Sequence, residues 1–267
     1  MNTRPLISLI FVNYQSVYYL KSALESIFSF EKESNLFEII VVNNDKKEEL
    51  SLKKLQKRFP FILKENECNN GFGAGNNRGA QEAQGDILGF INPDVLWIKK
   101  SLHEIRTLFI EQENIGVLGM MLVDEKNQEE PWGCGYEPTL HRLFWNNITP
   151  KHQNRWQKSG LSFPDWVSGC GLFIRKDLFF YRKGFDEQFF LYFEDVDLCK
   201  KVREGGFLVA RQTNLPLLHF GGKSTHSKEK QKNQFYISQK KYYKKHRPLW
   251  ENIVLFCLHS LFRHKTS

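Results

Sequence analysis

Carboxylates set among aromatic residues are the first features of this 267-residue chain equipped to do chemistry. Residues 184–206 read Gly-Phe-Asp-Glu-Gln-Phe-Phe-Leu-Tyr-Phe-Glu-Asp-Val-Asp-Leu-Cys-Lys-Lys-Val-Arg-Glu-Gly-Gly. A helix beginning near Glu194 puts Asp195 on one face with Leu198, Cys199 and Val202, and turns Asp197 the opposite way. Asp195 is then the acid on the apolar stripe, where desolvation presses its pKa upward as a general base requires. Glu194 and Asp195 would also suit a first helical turn, where the dipole favours acids. The segment alone leaves both readings open.

Three further polar clusters follow apolar runs. Asn43-Asn44-Asp45 succeed Ile39–Val42, where a side-chain oxygen could accept the imide N–H of a uracil or thymine ring; a polar capping turn has the same composition. Asn92-Pro93-Asp94 succeed Ile87–Ile91, and Pro93 ends the strand so that Asp94 stands at its rim. A carboxylate there can ligate a divalent cation that bridges to a diphosphate, though an Asx-Pro turn reads alike. His219 lies between Leu218 and Phe220-Gly221-Gly222, and as a metal ligand its nitrogen would make Mn²⁺ as plausible as Mg²⁺. A packed strand-end histidine is the competing reading.

These clusters need a scaffold that brings strand ends together. Residues 5–122 alternate apolar β-type runs with amphipathic segments, the pattern of β-α-β units over a mostly parallel sheet. Strands are expected at 6–13, 37–42, 61–64, 86–91 and 115–122, and helices at 17–30, 48–59 and 99–111. Ligands of such sheets bind at the carboxyl ends of the strands. A glycine-rich turn over 69–79 leads into a helix to about Gln84. It lacks G-x-G-x-x-G spacing and follows the third strand, which argues against a dehydrogenase; its Gly and Asn residues are expected to admit a nucleotide or its ribose to backbone amides. Residues 129–165 read as long loops with a little helix, after which strands are expected at 166–175, 207–210 and 216–220.

Composition bounds the class. A hydrophobic fraction of 41% with 23 Phe describes a globular chain, not a disordered one. No run of about twenty apolar residues occurs, so no membrane span is expected, and the first apolar run is short for a secretory signal. Five cysteines without a C-x-x-C pair suggest neither a disulfide framework nor zinc, which fits a reducing cytosol. From Gly221 onward eleven Lys/Arg face two Glu, so the tail holds all of the net charge of +8. Within that tail, Trp250, Ile253, Val254, Cys257, Leu258 and Leu261 follow helical spacing behind Lys240-Lys241 and Lys244-Lys245. A helix lying on an anionic membrane surface has this pattern, as does one that caps the domain.

Taken together, Phe11-Val12-Asn13-Tyr14, Val41-Val42-Asn43-Asn44, Asn70–Asn77, Ile91-Asn92-Pro93-Asp94-Val95, Trp166–Cys170, Gly184–Leu198 and His219–Gly222 resemble the inverting glycosyltransferases of family 2, most closely the bacterial rhamnosyltransferases of cell-surface polysaccharide assembly. The resemblance covers about residues 5–222. It implies a GT-A fold: one Rossmann-like mixed sheet flanked by helices, here as a domain over 1–222 followed by a basic amphipathic helical extension over 223–267. It implies that Asp195 is the base, paired with Glu194, and that Asp94 and His219 hold Mg²⁺ or Mn²⁺. Asn13, Asn43, Asn44, Asn70, Gly71, Asn76, Asn92 and Asp94 would bind the nucleotide-sugar. Trp166, Gly169 and Asp197 would meet the acceptor, with Trp132, Tyr136, Trp145 and Trp156 offering flat faces to sugar rings.

The implied donor is a dTDP- or UDP-sugar, with dTDP-rhamnose foremost. The implied acceptor is a polyprenyl-linked glycan at the inner face of the cell membrane, reached by a cytoplasmic, peripheral enzyme that binds no nucleic acid. Two departures stand out, because the family usually has Asp where this chain has Asn43, and Asn92 replaces the first acid of the D-x-D pattern. They keep open an inactive scaffold; a sugar-1-phosphate nucleotidyltransferase would need a basic glycine-rich loop near the first strand, which is absent.

Overall fold

The computed structural model describes residues 6–33, 35–148, 160–221 and 228–263, with side chains omitted at 145–148, 228 and 259–263. The apolar runs become strands covered on both faces, as helices on both sides of a largely parallel sheet require. Strand β1 (Ile7–Asn13) is buried throughout and pairs in parallel with β2 (Phe37–Asn43), register Ile7↔Phe37 to Asn13↔Asn43. Between them α1 (Val17–Phe30) buries Leu20, Ala23, Leu24 and Ile27, an i, i+3, i+4, i+7 stripe.

The sheet order is β3 (Ile62–Glu65), β2, β1, β4 (Ile87–Ile91), β10 (Gly171–Arg175), β6 (Ile115–Val123), β11 (Leu208–His219) and β5 (Val95–Trp97). β10 runs antiparallel to both neighbours, while β6 and β11 are parallel to each other. The carboxyl ends of β1, β2, β4, β6 and β11 therefore share one edge. α2 (Glu49–Gln56) and α4 (Leu102–Glu111) are helices near their expected places.

Three sequence expectations change. The strand foreseen over 166–175 is two pieces: β9 (Trp166–Val167) forms a small ribbon with β7 (Cys134–Gly135), and Ser168-Gly169-Cys170 turn the chain into β10. The strands at 207–210 and 216–220 are one, β11, interrupted by a register shift between Gln212 and Pro216 where proline cannot donate to the ladder. β8 (Leu161–Ser162) pairs with β11. Helix α5 (Leu140–Ile148) lies in the segment read as loops with a little helix, and the short helix α6 (Lys176–Tyr181), following β10 directly, was not foreseen.

The glycine-rich segment is the third change. Helix α3 (Phe72–Glu82) starts at once after Gly71, well before the end of the expected turn, and two of its glycines serve packing. A Cβ on Gly79 would lie 2.4 Å from Ile10 Cγ2, and one on Gly75 2.8 Å from Val12 Cγ1, so both residues let α3 settle onto β1.

The tail forms two helices, α8 (Lys228–His246) and α9 (Leu249–Arg263). Tyr242, Tyr243 and Leu255 from them join Phe189, Phe193 and Val196 in a separate apolar cluster. The boundary foreseen at 222/223 falls outside the described residues.

Candidate active site

The site is assembled at the shared strand edge from the end of β4, the end of β11, the turn between β9 and β10, and the start of α7 (Glu194–Glu204). After β4, a turn closed by Val95 N–H on the Asn92 carbonyl presents Asp94, which is 4% exposed. At the end of β11, His219 Nε2 lies 3.5 Å from Asp94 Oδ1, and Nδ1 is 2.8 Å from Glu130 Oε2. The Phe220 N–H donates to the Asp94 carbonyl and ties the two segments together. Burial lowers the His219 pKa, but contacts with Asp94, Cys170 and Glu130 outweigh it and carry the value above the ordinary histidine range.

The base candidate sits at the start of α7. Two consecutive non-glycine residues in the left-handed region, Tyr192 (φ 68°) and Phe193 (φ 69°), precede Glu194. Such backbone costs about 1–3 kcal/mol per residue and persists where surrounding packing enforces it, often at functional sites. Here Phe193 is locked against Phe235 and Tyr242. Asp195 Oδ2 accepts the Gly169 N–H at 2.9 Å, and Oδ1 accepts the Val196 N–H at 2.8 Å.

Burial raises the Asp195 pKa, and these two N–H donors offset part of the rise. Glu194 is pushed well above the usual carboxylate range by burial and then by the Asp195 charge, and its Oε2 has no hydrogen-bond partner. The shared negative charge therefore rests on Asp195, the member with donors from neighbouring backbone.

The turn 168–170 couples the two corners. Cys170 accepts from Asn92 twice, at its carbonyl from the backbone N–H (3.2 Å) and at Sγ from Nδ2 (3.0 Å), while Gly169 holds Asp195. A Cβ on Gly169 would lie 3.0 Å from the Phe72 ring and 3.6 Å from Asp195 Cβ, so the residue type fits the close approach.

The asparagines expected to meet a nucleotide are engaged with one another. Fully buried Asn13 donates to Asn43 Oδ1 and Glu48 Oε2; Asn43 donates to Glu65 Oε2 and the Asp45 carbonyl. Asn44 donates to Asn69 and Gly71 and accepts from Asn66. Asn43 therefore gives no free oxygen to a pyrimidine imide, because Oδ1 already accepts from Asn13 and from the Asp45 N–H. Asn76 is buried on α3 with Nδ2 on the Phe72 carbonyl, Asn70 is exposed, and Gly71 shapes the helix start with φ 96°.

Two acceptor expectations also change. Asp197 does point away from the Asp195 side, but that face is covered by α8: its fully buried carboxylate lies 2.6 Å from both Lys245 Nζ and His246 Nε2, and 3.2 Å from Lys201 Nζ. It anchors the tail instead of meeting an acceptor. The Trp166 indole N–H donates to the Tyr136 carbonyl and its ring packs over Gly135, so it braces the β7–β9 ribbon. Trp132 is exposed, and Arg142 lies over the Tyr136 ring at 3.7 Å. The Trp145 side chain and Trp156 lie outside the described residues.

Reading the sequence missed Glu130, Cys170, Glu48 and Glu65. Only Cys170 lay within a quoted motif, without a role of its own; the others reach the site or its margin through the fold. Among the described residues no three His, Cys, Asp or Glu side chains converge as a metal cage. Asp94 and His219 nonetheless fit a cation completed by a diphosphate: Nε2 is buried without a hydrogen-bond partner, and Glu130 at Nδ1 orients the ring.

Comparison with known proteins identifies the family and the fold. Residues 8–179 match glycosyl transferase family 2. The chain is 30% identical over 145 residues to N-acetylglucosaminyl-diphospho-decaprenol L-rhamnosyltransferase of Mycobacterium tuberculosis, covering 50% of this chain and 47% of the relative, so it spans about half that protein's length. It is 23% identical to the rhamnosyltransferase WbbL of Escherichia coli, covering 75% and 78% of the two chains. Among solved structures, a mannosyltransferase from Pyrobaculum calidifontis in complex with GDP-Man and Mn²⁺ superposes with a TM-score of 0.67 at 15% identity, over 91% of this chain and 64% of that one. The architecture is the GT-A arrangement.

Proposed function

The chain belongs to glycosyl transferase family 2, and on that premise we propose that it transfers a sugar, with inversion, from a nucleotide-sugar to a hydroxyl of a lipid-linked glycan. The supporting observation is that one short turn, 168–170, holds both Asp195 and the Asn92-Pro93-Asp94 corner. The relatives' names point to rhamnose as the donor sugar, and the dTDP carrier is our expectation from the sequence resemblance.

In this mechanism Asp195 removes the acceptor hydroxyl proton as the oxygen attacks the anomeric carbon from the face opposite the leaving group. Gly169 and Val196 N–H groups aim the carboxylate and favour its ionised form, while burial and the Asp195 charge favour the protonated form of Glu194 behind it. Asp94 and His219 face the departing diphosphate. These two residues would hold a divalent cation, Mn²⁺ or Mg²⁺, which would supply charge neutralisation to the leaving group. The face opposite Asp195 on α7 is closed by the tail, so the acceptor enters past the 129–166 segment, where Trp132 is exposed.

The tail supports a peripheral place on the anionic inner face of the cell membrane. Among the described residues no helix is long and apolar enough to cross a bilayer, yet α9 turns Trp250, Ile253, Val254 and Leu258 outward. Leu261 of the expected stripe lies outside the described side chains. A donor panel of dTDP-rhamnose, UDP-hexoses and GDP-mannose, each with and without Mn²⁺, tests the assignment through thermal unfolding. The expected result is metal-dependent protection, greatest with dTDP-rhamnose; no protection by any sugar nucleotide rejects the reading.

A further inference from the structure

Helix α9 seats Leu255 against the domain but turns most of its large apolar side chains outward. It buries Glu251, which Arg247 clasps through Nε (3.0 Å) and Nη2 (2.6 Å), and it leaves Leu249 76% and Trp250 60% exposed. At about 100° per residue, Leu249, Ile253 and Phe256 form one outward ridge, with Trp250 and Val254 beside it. A soluble monomer rarely leaves so continuous an apolar face in water.

The ridge borders a groove of about 470 Å³ between α8 and α9, with Lys240, Lys244 and Arg247 on one wall and Leu249, Leu255 and Phe256 on the other. Arg247 is neutralised by Glu251, but Lys240 and Lys244 have no carboxylate partner among the described residues. The Lys240 ammonium instead stands 5.4 Å from the centre of the Phe256 ring. Two uncompensated ammonium groups beside an aliphatic and aromatic ridge match a phosphate ester carrying apolar chains. A second copy of this chain fits poorly, because it brings the same basic tail.

We propose that this groove seats the headgroup phosphate of an anionic phospholipid, with Lys240 and Lys244 flanking the phosphate while Leu249, Ile253 and Phe256 enter the acyl boundary. The proposal rests on the membrane-peripheral reading above and adds a defined lipid site to it. The active-site face of α7 stays clear of the bilayer contact, because α8 joins the domain through Asp197 on the other face.

The test is flotation of the full chain with phosphatidylcholine vesicles and with equimolar phosphatidylcholine/phosphatidylglycerol vesicles. The parent should float with the anionic vesicles only. Lys240→Ala/Lys244→Ala should lower that partitioning about thirtyfold, at roughly a kilocalorie-scale contribution per lysine near an anionic surface. Lys46→Ala/Lys47→Ala, two exposed cations on the sheet domain, should keep the parent's value. Leu249→Ser/Phe256→Ser should lose binding at an unchanged melting temperature, since both side chains are exposed.

Equal partitioning by the parent and the Lys240/Lys244 variant, or equal uptake by both vesicle types, overturns the proposal. So does protection by inorganic phosphate alone that vanishes with the same two lysines, which would assign the groove to soluble phosphate. A concentration-dependent dimer abolished by the Leu249/Phe256 variant would assign it to a second copy. Sugar transfer to a water-soluble acceptor, measured on the parent in parallel, separates the two readings: transfer without vesicle binding rejects the lipid site alone, and vesicle binding without transfer rejects the enzymatic function alone.

Discussion

At the scale of single residues, what matters is which polar groups are held and which are left to act. Glu130 holds His219 from behind, so Glu130→Ala should leave the ring in place but badly oriented. Calorimetric titration of Mn²⁺ in the presence of a nucleoside diphosphate should then show affinity reduced about 10- to 100-fold; unchanged affinity would remove Glu130 from the site. Gly71 tests the backbone itself, because a Cβ there would come 2.3 Å from the Phe190 carbonyl oxygen at a φ of +96°. Gly71→Ala should cost at least about 2 kcal/mol in denaturant unfolding. The positions of Asp94, Asp195 and His219 were legible in the sequence because each ends or begins an element with a strong pattern. The roles of Asn13 and Asn43 were not, since hydrogen bonds to Glu48 and Glu65 depend on strand register that a linear reading does not supply.

At the scale of elements, α7 carries chemistry on one face and attachment on the other. Helical periodicity alone correctly separated Asp195 from Asp197, but Asp197 was expected to meet the acceptor, because periodicity does not show that α8 arrives from 48 residues further along the chain. Burial would raise the Asp197 pKa; His246, Lys245 and Lys201 reverse that and bring it from 3.8 to about 2. A folded-state pKa below the unfolded one gives stability that is complete above about pH 4 and lost as pH falls through 2. Its size is about 2 kcal/mol, from a shift of nearly two units. Asp197→Asn should therefore be less stable than the parent by about that amount at pH 7, with the gap closing near pH 2; a gap independent of pH would contradict the ion-pair account. The β-α-β half was readable because strands and helices there have unlike periods. The 166–175 segment was misread as one strand because Ser168-Gly169-Cys170 break the ladder without a proline to mark it.

At the scale of the whole molecule, the sheet edge, the base-bearing helix and the basic tail form a continuous series of contacts. Tyr242, Tyr243 and Leu255 cover Phe189, Phe193 and Val196, the apolar residues around the strained entry to α7. A chain ending at Gly221 would expose that cluster, so it should melt several degrees lower and lose sugar transfer even to a soluble acceptor, as differential scanning calorimetry with a parallel assay would show. Retained transfer would mean that the tail serves the membrane alone. The account centres on Asp195 as the base of a single displacement, and turnover of Asp195→Asn at saturating donor tests it most directly. General-base action supplies roughly 10²- to 10⁴-fold, so the predicted result is a loss of turnover in that range with donor affinity and melting temperature near those of the parent. Turnover equal to the parent's would contradict it.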